Sequence, residues 1–537
     1  MKLDRQKYLE SRSVKPSYIL IALLAVNIVL GAIAFVFPEE GLKLSKNLNL
    51  KFLNKYDLLE NPESSDLSVN VDDVLAGVNP LEEDSVQQPI DTAYLDLMAN
   101  IDEQLRSASD FDSLTGQWRF PQQRSIQFSK EHSSALNYFF ESLLTEAKTE
   151  VIRILHYGDS QLEGDRITDY FRNRMQLLFG GRGPGIILPK EPTAGARRSA
   201  YVRCSPNIKK HAIYKKGSKV DGNFYGIGGA SFEIQGFYNK PVGFDTAYVD
   251  TFNVVDSIQV LDTVITPLYE TVSKSTAYVQ VSNSKSSYLN VKSYDQVRLF
   301  YFAEEPFTME VSLDTNYIRQ TIPAATSLGF VSWNQEVNSR VRFNVVQGKF
   351  PLLYGIALDG TAGVAVDNFP MRGSAALGFS SMNRNVYARQ LNELGVKLII
   401  LQYGVNVIPS VLSDYTYYER MLTKELEAIK LAHPDVSILV IGPSDMSRNK
   451  GGRYVSYSNI PLVRDAMRNA AFKSGCAFWD LYEAMGGENS MAAWVEEGYA
   501  GKDYTHFSSK GAKFVGEMLF NAIMNELRNY ETLNSEG

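Results

Sequence analysis

Three short apolar runs constrain this chain more than any other feature: "VIRILHYG" from Val151, "VKLIILQYG" from Val396 and "VSILVIG" from Val436. Each is continuous rather than alternating, ends in glycine followed by polar residues, and lies beside a helical pattern such as "YYERMLTKELEAIKLA" (Tyr417 to Ala432). Strands covered on both faces read this way, and the combination predicts a parallel sheet with helices on either side. Ligands in such sheets bind outside the carboxyl ends of the strands. The first run ends there on Gly158-Asp159-Ser160 and turns at once into a helical pattern.

The sheet pattern is interrupted. Between about residues 192 and 347, "YDQVRLFYF", "FTMEVSLD" and "NSRVRFNVV" alternate with period two, through Val297, Leu299 and Tyr301, then Met309, Val311 and Leu313, then Val341, Phe343 and Val345. Short polar turns separate them, which predicts an antiparallel sandwich or jelly roll inserted into the α/β unit. A chain of 537 residues has room for both. The expected units are a first α/β part over 106–191, the insert over 192–347 and a second α/β part over 348–537. "SALNYFFESLLTEAKTE" (Ser134 to Glu150) has Leu136, Phe139, Phe140, Leu143 and Leu144 at helical spacing, as a core-packed helix requires.

Before these units stands "SYILIALLAVNIVLGAIAFVF", Ser17 to Phe37, without a charge. At about 1.5 Å per residue it can cross a hydrocarbon layer of about 30 Å. Lys2, Arg5, Lys7, Arg12 and Lys15 precede it, so residues 1–16 are expected in the cytoplasm and everything after 38 outside. Ala32-Ile33-Ala34 would suit a cut, but the apolar run is longer than a cleaved leader needs, and an uncleaved single-pass anchor in an inner membrane is the expectation. The segment from Tyr56 to Glu103 holds thirteen Asp and Glu and no Lys or Arg, against a net charge of −7 for the whole chain. Residues 38–105 therefore read as an acidic, solvated tether, reaching into a periplasm.

Composition excludes several classes of function. No long basic stripe interleaved with aromatics marks a nucleic-acid surface. Two cysteines, Cys204 and Cys476, exclude a disulfide framework and have no metal-ligand spacing. The five histidines form no close pair, so neither metal nor other cofactor is expected.

A serine nucleophile needs a base and a group that orients the base. Ser160 after Asp159 at a helix start could equally be a cap. Asp503 and His506, three apart in "GKDYTHFSSKG", precede a predicted helix starting near Ser508 and can supply the carboxylate and imidazole. Asn406 falls just past a strand end, where its amide could face a developing oxyanion, and Gly373 in "NFPMRGSAAL" could bring its N–H to the same point without a Cβ. Gly228 or Gly229 in "YGIGGASFE" could take that place instead.

The order Gly158-Asp159-Ser160, Gly373, Gly404-Val405-Asn406 and Asp503-Tyr504-Thr505-His506 resembles the SGNH (GDSL-type) hydrolase family over residues 150–190 and 350–530. The resemblance implies a flavodoxin-like three-layer α/β/α fold with about five parallel strands. It implies Ser160 as nucleophile, His506 as base and Asp503 as its partner. Ser160 N–H, Gly373 N–H and the Asn406 amide would form the oxyanion hole. Gln161 and Val407 depart from the family, which often has Leu and Asp at these places. The implied activity is a serine esterase removing O-acyl groups, chiefly O-acetyl, from cell-envelope polysaccharide or peptidoglycan, with the insert resembling a carbohydrate-binding jelly roll. The same residues suit an O-acetyltransferase working with a membrane-bound O-acyltransferase, or, with activity lost, a glycan-binding envelope protein.

Overall fold

The computed structural model describes residues 42–45, 48–50, 111–112, 117–118, 124–191, 197–215, 217–250 and 261–535. The expected membrane span at 17–37 and most of the expected tether lie outside these residues. Among the described residues no helix is long and apolar enough to cross a membrane. The chain forms two compact units, residues 1–68 and 69–537. In the first, Leu42–Ser45 pairs antiparallel with Leu48–Leu50.

The second unit is built on a parallel sheet of five strands: β1 (Val151–Gly158), β2 (Gly363–Pro370), β3 (Val396–Gln402), β4 (Ser437–Ile441) and β5 (Ala477–Trp479). Their order across the sheet is β2-β1-β3-β4-β5, with the short strand Ile126–Gln127 antiparallel on the β5 edge. The chain reverses direction of travel at β1, which places the carboxyl end of β1 between those of β2 and β3. That is the switch point at which open α/β sheets hold their ligands.

Helices cover both faces because the central strands are apolar on both. Ile152 and Ile154 of β1 share a core with α1 (Asn137–Thr145), α2 (Arg166–Phe179) and α6 (Ser509–Ser535). Leu155 and Tyr157 of the same strand join a second core with α3 (Arg384–Glu393), α4 (Thr416–Ala432) and α5 (Ile460–Lys473). The period of two divides one strand between two cores. The helix expected around Ser134 to Glu150 is α1, burying Phe139, Phe140 and Leu143.

Between α2 and β2 the chain forms two antiparallel sheets. One has the order Ala325–Val337, Tyr294–Ala303, Leu352–Asp359, Ala230–Ile234, Ile208–Ala212, with Gly185–Ile187 also on Leu352–Asp359. The other runs Asn316–Ile322, Phe307–Leu313, Arg340–Gly348, Ala277–Ser282, Tyr201–Cys204. Met309, Val311 and Leu313 are buried and the residues between them half-buried, as alternation predicts. These strands extend beyond the expected limits of 192 and 347, since Gly185–Ile187 and Leu352–Asp359 belong to the same sheet. Both are buried on both faces and do not alternate, so their sequences resemble the α/β strands and not the other strands of the sandwich.

The sandwich and the α3–α5 side of the parallel sheet share one continuous core. Fully buried Arg153 on β1 crosses this seam, donating to Asp367 of β2 at 2.9 Å and to Asp359 of the sandwich. Asp367 also accepts the Ile186 N–H. Among the described residues, a ribbon of two long strands, Phe237–Asp250 and Leu261–Ser273, pairs only with itself.

Candidate active site

At the carboxyl end of β1 the backbone must turn in very little space. A Cβ on Gly158 would lie 2.7 Å from the Gln402 carbonyl oxygen and 2.7 Å from Leu162 Cδ1, so only glycine fits. Asp159 then caps the short 3₁₀ turn that follows, its carboxylate accepting the Gln161 N–H at 3.0 Å. The capping role therefore falls to Asp159, and the Ser160 hydroxyl is free for other work.

Ser160 Oγ lies 2.8 Å from His506 Nε2, and His506 Nδ1 lies 2.8 Å from Asp503 Oδ2. The other Asp503 oxygen accepts the backbone N–H groups of Thr505 and His506, at 3.1 and 3.0 Å. Partial burial pushes this carboxyl up, but the His506 and Thr505 hydrogen bonds and the imidazole itself outweigh it and hold it below the usual range. An ionised carboxylate only accepts, so the imidazole carries its proton on Nδ1 and presents a bare Nε2 to the serine hydroxyl.

The loop carrying Asp503 and His506 is tied to the nucleophile turn from several directions. Gln161 Nε2 donates to the Thr505 carbonyl at 2.7 Å and to Ser444 Oγ at 3.3 Å, while its Oε1 accepts the Phe507 N–H at 3.3 Å. Arg166, at the start of α2, donates to the Phe507 carbonyl at 2.6 Å. The loop closes on itself through Gly501 N–H to the His506 carbonyl at 2.8 Å. The polar residue at 161 thus links serine and histidine loops, which a leucine could not do.

Gly373 and Asn406 reach the same rim. Met371 N–H donates to the Gly158 carbonyl at 2.7 Å, Arg372 pairs with Glu163 at 3.7 Å, and the Asn406 amide donates to the Ser374 carbonyl at 2.9 Å. Gly373 has open space where a Cβ would stand, but its φ is +80°; the backbone conformation, rather than crowding, favours glycine there. The N–H groups of Ser160 and Gly373 donate to no protein acceptor among the described residues. Asn406 Nδ2 keeps a second hydrogen beyond its bond to Ser374. Gly229 spends its N–H on the Gly226 carbonyl, and Gly228 packs against Leu188 and Phe369. Of these three glycines only Gly229 has its N–H bonded to a carbonyl among the described residues.

Two buried ionisable groups, Asp159 and His156, lie close to the serine in the chain, and sequence reasoning gave His156 no role. Burial raises the Asp159 carboxyl to about 7, although the Gln161 and Val405 N–H bonds pull it back in part. His156 on β1 is fully buried, with Nε2 3.0 Å from Gln402 Oε1 and Nδ1 3.0 Å from Thr168 Oγ1. Burial drops it to about 3, so it is neutral. Among the described residues no cluster of His, Cys, Asp and Glu could hold a metal ion.

No protein-family model matches this chain, and no curated protein does. Among solved structures, a peptidoglycan O-acetylesterase superposes with a TM-score of 0.53 at 23% identity, covering 73% of this chain and 96% of that one. A lipase/acylhydrolase from Enterococcus faecalis (TM-score 0.22, 15% identity, 30% of this chain and 77% of that one) and an acetyl xylan esterase (TM-score 0.24, 13% identity, 30% and 81%) match less closely. The first likeness covers most of both chains and shows that this chain shares the fold of that structure.

Proposed function

We propose that this protein is a serine esterase that removes O-acetyl groups from a cell-envelope glycan. The observation that carries the reading is the relay Ser160–His506–Asp503, with both hydrogen bonds at 2.8 Å, at the switch point of the sheet. Ser160 Oγ attacks the ester carbonyl as its proton passes to His506 Nε2, and Asp503 steadies the imidazolium. The oxyanion is met by Ser160 N–H, Gly373 N–H and the Asn406 amide, donors worth about 3 kcal/mol each in comparable sites. Collapse returns the proton to the departing sugar hydroxyl, leaving an acetyl-serine that water clears by the same steps.

The glycan is proposed because a structure that superposes over 73% of this chain is a peptidoglycan O-acetylesterase. The charge-free run at 17–37 with five cationic residues before it supports export on a single-pass anchor, with the site outside an inner membrane. Turnover of p-nitrophenyl acetate tests the activity. The expected loss in Ser160→Ala or His506→Ala is at least 10³-fold, about what removing a member of such a relay costs, and turnover equal to wild type in Ser160→Ala contradicts it.

A further inference from the structure

The hairpin Ser447–Lys450 and Arg453–Ser456 stands beside the Asp503–His506 loop, turning through Gly451 and Gly452 at φ +65° and +90°. Its base is firmly held. Ser447 N–H donates to the Tyr504 carbonyl at 3.0 Å, Ser456 Oγ donates to Asp445 at 2.6 Å, and the Asn489 N–H donates to Ser456 Oγ at 2.7 Å. Tyr454, near its end, lies flat on Tyr504: the ring centroids are 3.4 Å apart and the planes differ by 4°. Tyr504 has a φ of 53°, a left-handed conformation that a bulky residue adopts only when its surroundings impose it.

The two rings are unequally exposed. Tyr454 is 40% exposed and Tyr504 only half-buried beneath it, so Tyr454 is the outer member and turns one aromatic face to solvent. Tyr504, on which that ring rests, stands two residues before His506 in the chain. Tyr504 packs against the edge of the core between the parallel sheet and α6, whereas Tyr454 belongs to neither core, and core packing does not explain its exposed ring. A rigid, pre-oriented aromatic face suits the apolar C–H face of a pyranose ring, which the negative face of the π-system attracts.

We propose that Tyr454, supported by Tyr504, is the platform on which the sugar ring of the acetylated glycan stacks while its ester reaches Ser160. This rests on the esterase reading above and assigns it a saccharide subsite. Tyr454 is a binding residue, so its loss weakens capture of the glycan and leaves the chemistry at Ser160 intact.

The test compares the full chain with Tyr454→Ala, Tyr454→Leu and Tyr454→Phe on two substrates. One is p-nitrophenyl acetate; the other is O-acetylated peptidoglycan fragments or acetylated xylan, whichever wild type turns over. Tyr454→Ala and Tyr454→Leu are expected to raise KM for the glycan at least 10-fold and to keep turnover of the small ester within about twofold. Tyr454→Phe, which keeps the ring, is expected to match wild type on both. Equal losses on both substrates in the Leu variant would assign the ring to holding the histidine loop and overturn the platform. Unchanged glycan KM, or a wild-type enzyme that cleaves the small ester but neither glycan, would also overturn it. Wild type inert toward every ester marks the separate failure of the esterase reading, and the platform falls with it.

Discussion

At Gly158 a side chain has nowhere to go, at Asp159 a carboxylate caps the turn, and at Ser160 the hydroxyl is left to the imidazole. These three residues were legible as a candidate nucleophile turn, but which of the two capping-type side chains would cap was not. That is decided by the path of the backbone, which the pairing of β1 with β3 sets. Gln161 was visible only as a departure from a family pattern, because its partners Thr505 and Phe507 lie about 345 positions away. Gln161→Leu leaves the Thr505 carbonyl and the Phe507 N–H without this partner, at about 1–3 kcal/mol for each buried group. We expect kcat for p-nitrophenyl acetate to fall roughly 10–100-fold, in line with a cost of 1.4 kcal/mol per tenfold, with KM little changed; unchanged kcat contradicts the linking role.

Asp159 gives a prediction in pH. Its folded pKa, about 7, stands above that of the unfolded chain, so between about pH 4 and 7 the folded protein holds the extra proton. Its contribution to stability is then present at low pH and is lost as pH rises through about 7, on the order of 1 kcal/mol per unit. His156 has the opposite sense in an overlapping window, since its depressed pKa favours the folded state above the unfolded value and the benefit is lost as pH falls. The difference between Asp159→Asn and wild type isolates the carboxyl. Urea titrations at three values across this window are expected to shift in favour of the variant as pH rises, and a difference independent of pH contradicts the assignment.

Among the elements, the long apolar runs announced β1, β3 and β4 because burial on both faces favours apolar residues at successive positions instead of an alternation. β5, with three residues, and the 447–456 hairpin are too short for any periodicity to register. The sandwich strands declared themselves by alternation only where one face met solvent. Arg153, within the apolar run of β1, joins three strands from two sheets. Arg153→Met leaves Asp367 buried without its cation and Asp359 with only Arg298 at 3.4 Å, and about 3–5 kcal/mol of stability should be lost. A urea midpoint within error of wild type would show that the seam does not depend on the arginine.

Across residues 124–535, sheet, helices and sandwich act as one body in energetic terms, because one apolar core and the Arg153 network run through both. The sandwich is expected to unfold together with the parallel sheet in a single thermal transition of the full chain, followed by both far-ultraviolet circular dichroism and tryptophan fluorescence; Trp333 lies in the sandwich and Trp479 in the parallel sheet. Two resolved transitions would mean that the seam is weaker than its burial implies. The most direct measurement of the central claim is the intact mass of the full chain after treatment with a fluorophosphonate, beside Ser160→Ala and His506→Ala. The account predicts a single adduct on wild type that is absent from both variants; an unlabelled wild type that is folded, or an adduct that persists in Ser160→Ala, contradicts it.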